Sequence, residues 1–464
     1  MAAPSPNLLA KGLPILTPTA LNPHAPVGKW ILGTSSLVCA MVHIGGVTRL
    51  TKSGLSMTDW KPLGSRPPIT NDEWLEEFER YKQFPEWQQR QSMSLDEFKY
   101  IYFWEWGHRM AGRFVGLVFG GGWLYFTWLH RPKLQLDARS SLALPKNVTS
   151  AIPPGYQGRL ALLFGMGGFQ GLVGWWMVKS GLGQDRMGDR REIRVSPYRL
   201  TAHLGMAVST YSLLLWTGLN VLSFPVDKYV LKSVAGDAAK VGTKTVSYLQ
   251  EYARSLTPSA LAHARRTRLG VLSTVGLTGL TILSGGFVAG NDAGCAYNTY
   301  PLMDGELIPW GDLVDPQVQP AWRNLFETTA AVQFNHRVLG TTTALSALGV
   351  AAYGLAKGQA RSVTPQVRRG LLALGTAATG QMSLGIATLL NYVPLHLAAS
   401  HQLGSLVVLT CGIYSAHSLR YAGHGVIAKV GSRAVSSLVS GGGGVGSAQK
   451  STVAVSRVIN NVKI

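Results

Sequence analysis

Four of the eleven histidines, His108, His203, His336 and His401, each stand near the start of a long apolar stretch. An imidazole binds iron and other transition metals through one ring nitrogen, and an ionisable group inside a membrane helix is rare and usually functional. The four fall into two sets. His108-Arg109-x-x-Gly112 matches His336-Arg337-x-x-Gly340, and Gly45-Gly46 followed by Gly54 matches Gly285-Gly286 followed by Gly294 at identical spacing. Gln170 to Gly174 matches Gln381 to Gly385, and His203 matches His401. Four matches in one order indicate two related halves with one histidine pair each.

Zinc would favour Cys, Asp or Glu ligands close to these histidines, and the stretches offer almost none. Two imidazoles facing each other across a helical bundle suit haem iron. Arg109, Arg113 and Arg337 are then candidates to pair with propionates, the alternative being arginines that reach to an interface. One acid breaks the symmetry. Glu105 precedes His108 by three residues, on the same helical face, and the matching position in the second half is Gln333, which cannot ionise. A carboxylate beside one site only implies chemistry in the first half and support in the second. The alternative is an interfacial Glu105 that simply pairs with Arg109. His43 and His396 are weaker candidates, and His24, His130, His263, His417 and His424 read as solvated or interfacial.

The elements that carry these residues follow from composition. Only 14% of the 464 residues are charged and 46% are hydrophobic, whereas soluble domains carry about 25% charge. The apolar residues come in blocks. Eight stretches, 30–49, 102–128, 159–179, 199–222, 269–290, 329–355, 370–391 and 396–419, are long enough to cross a bilayer. The expected fold is therefore an all-α integral membrane protein, with eight transmembrane helices arranged as two pseudo-symmetric four-helix bundles. Residues 1–29 form an N-terminal extension, 30–222 the first half, 223–268 an interior-side linker, 269–419 the second half and 420–464 a C-terminal tail.

The net charge of +20 maps onto this scheme. Segments 1–29, 130–158, 223–268, 356–369 and 420–464 hold 24 Lys and Arg against 4 acids, while 51–100 holds 9 acids against 7 bases and 291–328 holds 6 against 1. The positive-inside rule puts both termini inside and all four histidines near the outer face. The basic excess is a topology signal and needs no nucleic-acid partner. Three distant cysteines, Cys39, Cys295 and Cys411, make neither a zinc pattern nor a disulfide framework. A soluble or disulfide-stapled protein is excluded.

The motifs Gly45-Gly46-Val47-Thr48-Arg49-Leu50, Ser53-Gly54-Leu55-Ser56-Met57-Thr58-Asp59-Trp60, Glu105-Trp106-Gly107-His108-Arg109 and Asn335-His336-Arg337 closely resemble those of the haem A synthase family, over about residues 30–420. The long first outer loop is similar to the mitochondrial branch. The resemblance implies an oxidoreductase that converts the C8 methyl of haem O to a formyl group by successive hydroxylations, giving haem A for cytochrome c oxidase. It implies that His108 and His203 hold the substrate or product haem, that His336 and His401 hold a haem b, and that Glu105 is the essential carboxylate. Implied partners are the lipid bilayer, a ferredoxin with its reductase as electron donor, haem O synthase as a neighbour, and a second copy of the chain in a homo-oligomer. The implied location is the mitochondrial inner membrane with both termini in the matrix, or alternatively a bacterial plasma membrane. Many bacterial members carry a cysteine pair in the first outer loop; residues 51–100 contain none, and Cys295 reads as structural. A transmembrane bis-histidine b-type cytochrome that only transfers electrons is the competing function.

Overall fold

The computed structural model describes residues 22, 24–129, 150–183, 193–223, 248–356, 363–423 and 426. Eight long helices organise them: α1 (Ala25–Leu50), α2 (Leu95–Leu124), α3 (Gln157–Lys179), α4 (Pro197–Leu222), α5 (Pro258–Gly290), α6 (Thr329–Gly354), α7 (Pro365–Leu390) and α8 (Leu395–Ser418). Among the described residues the only β pairing is an isolated bridge between Met303 and Glu306. By length and composition, α1, α3, α4, α5 and α8 are apolar enough to cross a membrane. The other three are as long, but Gly, Thr and the candidate ligand residues dilute their apolar content. Large apolar side chains point outward from the helices, as with Leu117 and Trp128, each 73% exposed. Such a surface suits lipid rather than water.

Each long helix corresponds to one expected stretch, and several begin earlier than hydropathy implies. Helix α2 starts at Leu95 because Ser94 and Glu97 form a capping box: the Ser94 hydroxyl accepts from Glu97 N–H while the Glu97 carboxylate accepts from Ser94 N–H. Helix α5 starts at Pro258, eleven positions before 269, with the Thr257 hydroxyl accepting from Ala260 N–H. The second part of the expected linker 223–268 is consequently helical, Tyr248–Ser255 followed by the beginning of α5. The first part of that linker, most of the N-terminal extension and nearly all of the tail lie outside the described residues.

Neighbour relations repeat through the chain. Helix α1 packs on α2, α2 on α3, α3 on α4, and α4 returns to α1; α5, α6, α7 and α8 close in the same order. The halves meet where α4 lies on α5 and α8 lies on α1 and α4. That seam is an apolar cluster including Val42, Val208, Tyr211, Ile282, Leu406 and Ile413. Polar contacts cross between the halves as well: the Tyr211 and Thr410 hydroxyls bond to each other, and Gln402 Nε2 donates to Val42 O at 3.0 Å.

The glycine pairs have a divided task. A Cβ on Gly45 would lie 2.9 Å from the His108 ring, and one on Gly46 would collide with the Gln402 side chain of the other half. In the second half, a Cβ on Gly285 would lie 3.2 Å from His336, and one on Gly286 would meet Thr201 and Leu204 of the first. One glycine of each pair thus admits a histidine within its own half, and the next admits the opposite half.

Outside the long helices, the loop between α1 and α2 folds around a short helix, Asn71–Tyr81, held by a Thr70–Glu73 capping box. Phe78 and Tyr81 stack with Phe98 at the start of α2, and Trp74 and Trp87 complete the aromatic cluster. This cluster fixes the loop over the end of α2 that carries Glu105 and His108.

Candidate functional site

The structure brings the four histidines together as the two expected pairs. The His108 and His203 ring centres are 6.5 Å apart with planes at 73°, and those of His336 and His401 are 6.4 Å apart at 85°. Two imidazoles bound through nitrogen to opposite sides of one metal, at bonds of about 2 Å, place their ring centres about 6 Å apart. Among the described residues no group of three His, Cys, Asp or Glu side chains converges on a metal position. A metal at either pair would have to bring its remaining ligands with it, as haem iron does.

Each ring is seated on a glycine of a neighbouring helix. His108 lies on Gly45, His203 on Gly174, His336 on Gly285 and His401 on Gly385; a Cβ at any of these glycines would approach its ring to 2.6–3.2 Å. All four glycines belong to the repeat, and none could carry a larger residue without moving the imidazole. The side-chain amides of Gln170 and Gln381 are repeated as well. Gln170 Nε2 donates to His203 O at 3.0 Å and lies 3.2 Å from its Nδ1, and Gln381 Nε2 does the same to His401 at 2.8 and 3.1 Å. These partners were not singled out from the sequence, although the Gln-to-Gly match contains them.

All four histidines line a single cavity of about 1910 Å³ that spans both halves. Its wall is mainly apolar and includes the polar groups Glu105, Arg109, Arg113, Gln333 and Arg337. The residues fit two flat macrocycles: each histidine pair could supply two iron ligands, the glycine cradles and apolar walls are present, and His108 Nδ1 is buried with no partner among the described residues.

Glu105, 3% exposed, sits beside the first pair. Its Oε2 accepts from the Ser56 hydroxyl and from Met57 N–H, each at 2.7 Å, and its Oε1 accepts from Arg109 Nη2. Gln333 has the opposite polarity in the matching place. Its Nε2 donates to the carbonyls of Ala293, Gly294 and Tyr297, and its Oε1 accepts from Arg337. Both side chains therefore hold a connecting loop onto the helix beside a histidine, but only Glu105 can carry a charge or a proton. The ion pair with Arg109 uses Oε1, while Oε2 meets Ser56 and Met57.

The three arginines expected to meet propionates line the cavity, but their donors are largely committed to loop carbonyls. Arg109 donates to Asp59 O and Met57 O, each at 2.8 Å. Arg113 donates to Pro62 O, Lys61 O and Arg109 O, and Arg337 to Tyr297 O and Leu302 O. A second cationic group, missed in the sequence, lies at the junction of the halves. Asp292 accepts from Arg49 at 3.0 Å and from Arg194 at 3.1 Å, and all three line the cavity.

The remaining histidines need a correction. His24, His263 and His417 were expected to be solvated or interfacial, and they are buried, at 0%, 6% and 4% exposure. His24 Nδ1 bonds with Ala151 O at 2.6 Å, His263 stacks on Tyr353, and His417 Nε2 bonds with Asn220 Oδ1 at 3.0 Å. They tie helix ends together, which is why they are not in water. His396 is exposed, His43 is partly buried, and His130 and His424 lie outside the described residues.

Comparison with known proteins agrees with the geometry. Residues 28–413 match the family model COX15-CtaA, described as cytochrome oxidase assembly protein. The chain is 41% identical over 403 residues to human "Heme A synthase COX15", covering 85% of this chain and 82% of that one. It is 40% identical over 403 residues to "Heme A synthase" of Parvibaculum lavamentivorans, covering 86% and 96%. The "Heme A synthase-mitochondrial ferredoxin fusion protein" of Schizosaccharomyces pombe is 39% identical over 417 residues, covering 87% of this chain and 62% of the fusion.

Proposed function

The chain belongs to the COX15-CtaA family of cytochrome oxidase assembly proteins, and on that premise we propose that it is an oxidoreductase that makes haem A from haem O. The observation that carries the assignment of roles is the pairing of Glu105 with the first histidine pair and of Gln333 with the second, inside one cavity. Haem O is the substrate and is held by His108 and His203. A resident haem b is held by His336 and His401, and when bound it supplies one-electron transfer. The neighbour relations of α1–α4 and α5–α8 support two bundles related by an axis along the membrane normal.

Within this reading the chain's own residues do four things. The glycine cradles and Gln170 hold the imidazoles in place, so that the substrate's iron is fixed and its ring edge is oriented. Apolar walls exclude water from the reacting edge. Glu105 orients or deprotonates the substituent being oxidised, or its hydroxyl intermediate, at Oε1 or Oε2. Ser56, Met57 N–H and Arg109 donate to that carboxylate and fix its position.

Electrons come from a ferredoxin with its reductase, a reading supported by the ferredoxin fused to the fission-yeast relative. The long helices cross the mitochondrial inner membrane, with both termini on the matrix side and the histidine sites toward the opposite face. That orientation rests on the basic excess of the expected inner segments. Haem O synthase is a neighbour because its product is the substrate here.

Replacing Glu105 by Gln tests the chemistry. The variant should keep both haems and lose formation of the formyl product by about 100-fold or more, the size of a positioned acid–base group. Unchanged haem A output with normal haem content would remove Glu105 from the reaction.

A further inference from the structure

The two histidine pairs differ in one hydrogen bond that the repeat does not conserve. On α5, the Ser284 hydroxyl donates to Thr281 O at 2.8 Å and lies 2.7 Å from His336 Nδ1. A hydroxyl has one proton, and here it is committed to the Thr281 carbonyl, so Ser284 Oγ accepts from His336 Nδ1–H. That bond sets the tautomer and the ring orientation, leaving the Nε2 lone pair free to bind a metal. The residue matching Ser284 in the first half is Ile44, one before Gly45 just as Ser284 is one before Gly285, and its side chain offers no oxygen. His108 Nδ1 is accordingly buried without a partner among the described residues, while its ring still rests on Gly45. The other two histidines are held in nearly the same way, His203 by Gln170 and His401 by Gln381, with Gln170 Nε2 also 3.4 Å from His203 Nε2.

We propose that Ser284 makes His336 a permanent iron ligand, and that Ile44 leaves His108 as the exchangeable one, the imidazole that lets go of iron when substrate enters and product leaves. The inference rests on the assignment of the four histidines as haem ligands made above, and it assigns Ser284 a positioning role. It also gives a reason for two otherwise similar sites: a resident haem has to stay, and a substrate haem has to turn over. For a haem to leave, the iron's bonds to both imidazoles of the pair would break and later re-form, that to His108 first, with no net change of electrons or protons.

The test uses the full chain purified in detergent with its haems bound. Transfer of haem to an excess of apomyoglobin is followed by absorbance, and the low-spin spectrum of each site is recorded beside it. Wild-type protein should release haem in two phases, with the haem b phase the slower. Ser284→Ala should speed the haem b phase by about 10-fold or more, the usual effect of losing a ligand's outer hydrogen bond. Ser284→Thr, which retains the hydroxyl, should restore the slow phase and so exclude a mere folding defect. Ile44→Ser should slow the other phase by about 10-fold. Unchanged phases and spectra in Ser284→Ala and Ile44→Ser would overturn the inference. Persistence of the slow haem b phase in His336→Ala would overturn instead the ligand assignment on which it rests.

Discussion

At the scale of single residues, the geometry assigns work to glycines as much as to histidines. Gly45, Gly174, Gly285 and Gly385 are the surfaces on which the four imidazoles lie. Gly285→Val should displace His336 and strip haem b while sparing the first pair, and Gly45→Val should do the reverse. Quantifying the two haems in each variant checks this; loss of both haems from either one would contradict independent seats. The four histidines were legible in the sequence because an ionisable group in an apolar stretch stands out, and Glu105 because its counterpart is Gln333. Ser284 was not legible. A single hydroxyl in a Gly- and Thr-rich helix carries no pattern until its partners are seen. The arginine targets were hidden for a related reason, since a carbonyl acceptor belongs to the backbone and has no residue type. The buried His24, His263 and His417 were misjudged because position along a helix does not tell which neighbour covers its end.

At the scale of elements, hydropathy located eight helices, and side-chain caps mark where α2, α5 and α7 begin. Ser94→Ala should cost about 1 kcal/mol by removing the α2 cap. A fall in the thermal midpoint with the haem sites intact would register it. The loop between α1 and α2 adds a pH dependence. Glu86 is buried beneath the aromatic cluster, where it meets Tyr81 Oη at 3.1 Å and Arg90 at 3.4 Å. Burial pushes its carboxyl up to about 7; Arg90 and Lys52 oppose that shift, and the charge of Glu105 adds to it. With the folded value raised above the ordinary 4.5, the folded loop holds a proton that the unfolded chain has lost. Its contribution is full below about 4.5 and is lost as pH rises through about 7. Amide exchange in Asn71–Tyr81 should therefore quicken across that window, after correction for intrinsic rates, and Glu86→Gln should flatten the profile. A wild-type profile without that slope would contradict the placement of Glu86.

At the scale of the whole molecule, two halves with separate seats share one cavity and are tied at their junction by Arg49, Asp292 and Arg194. Asp292 has a positive φ of 50°, a conformation that Asn also tolerates. Asp292→Asn thus removes the charge with little backbone strain. It should lower stability by about 1–2 kcal/mol, between an exposed pair and a buried unpaired cation, read as a shift in the denaturation midpoint. The doubled plan was visible in the spacing of the repeat. The continuity of the cavity was not, because no local pattern reports how the two halves meet.

The central claim is that one chain holds two haems with different fates. Pigments extracted from the purified protein and from His108→Ala, then separated, address it directly. The account predicts haem b together with haem O or haem A in the wild type, and haem b alone in the variant. Haem b as the sole pigment of the wild-type protein would contradict it and leave an electron-carrying cytochrome in its place.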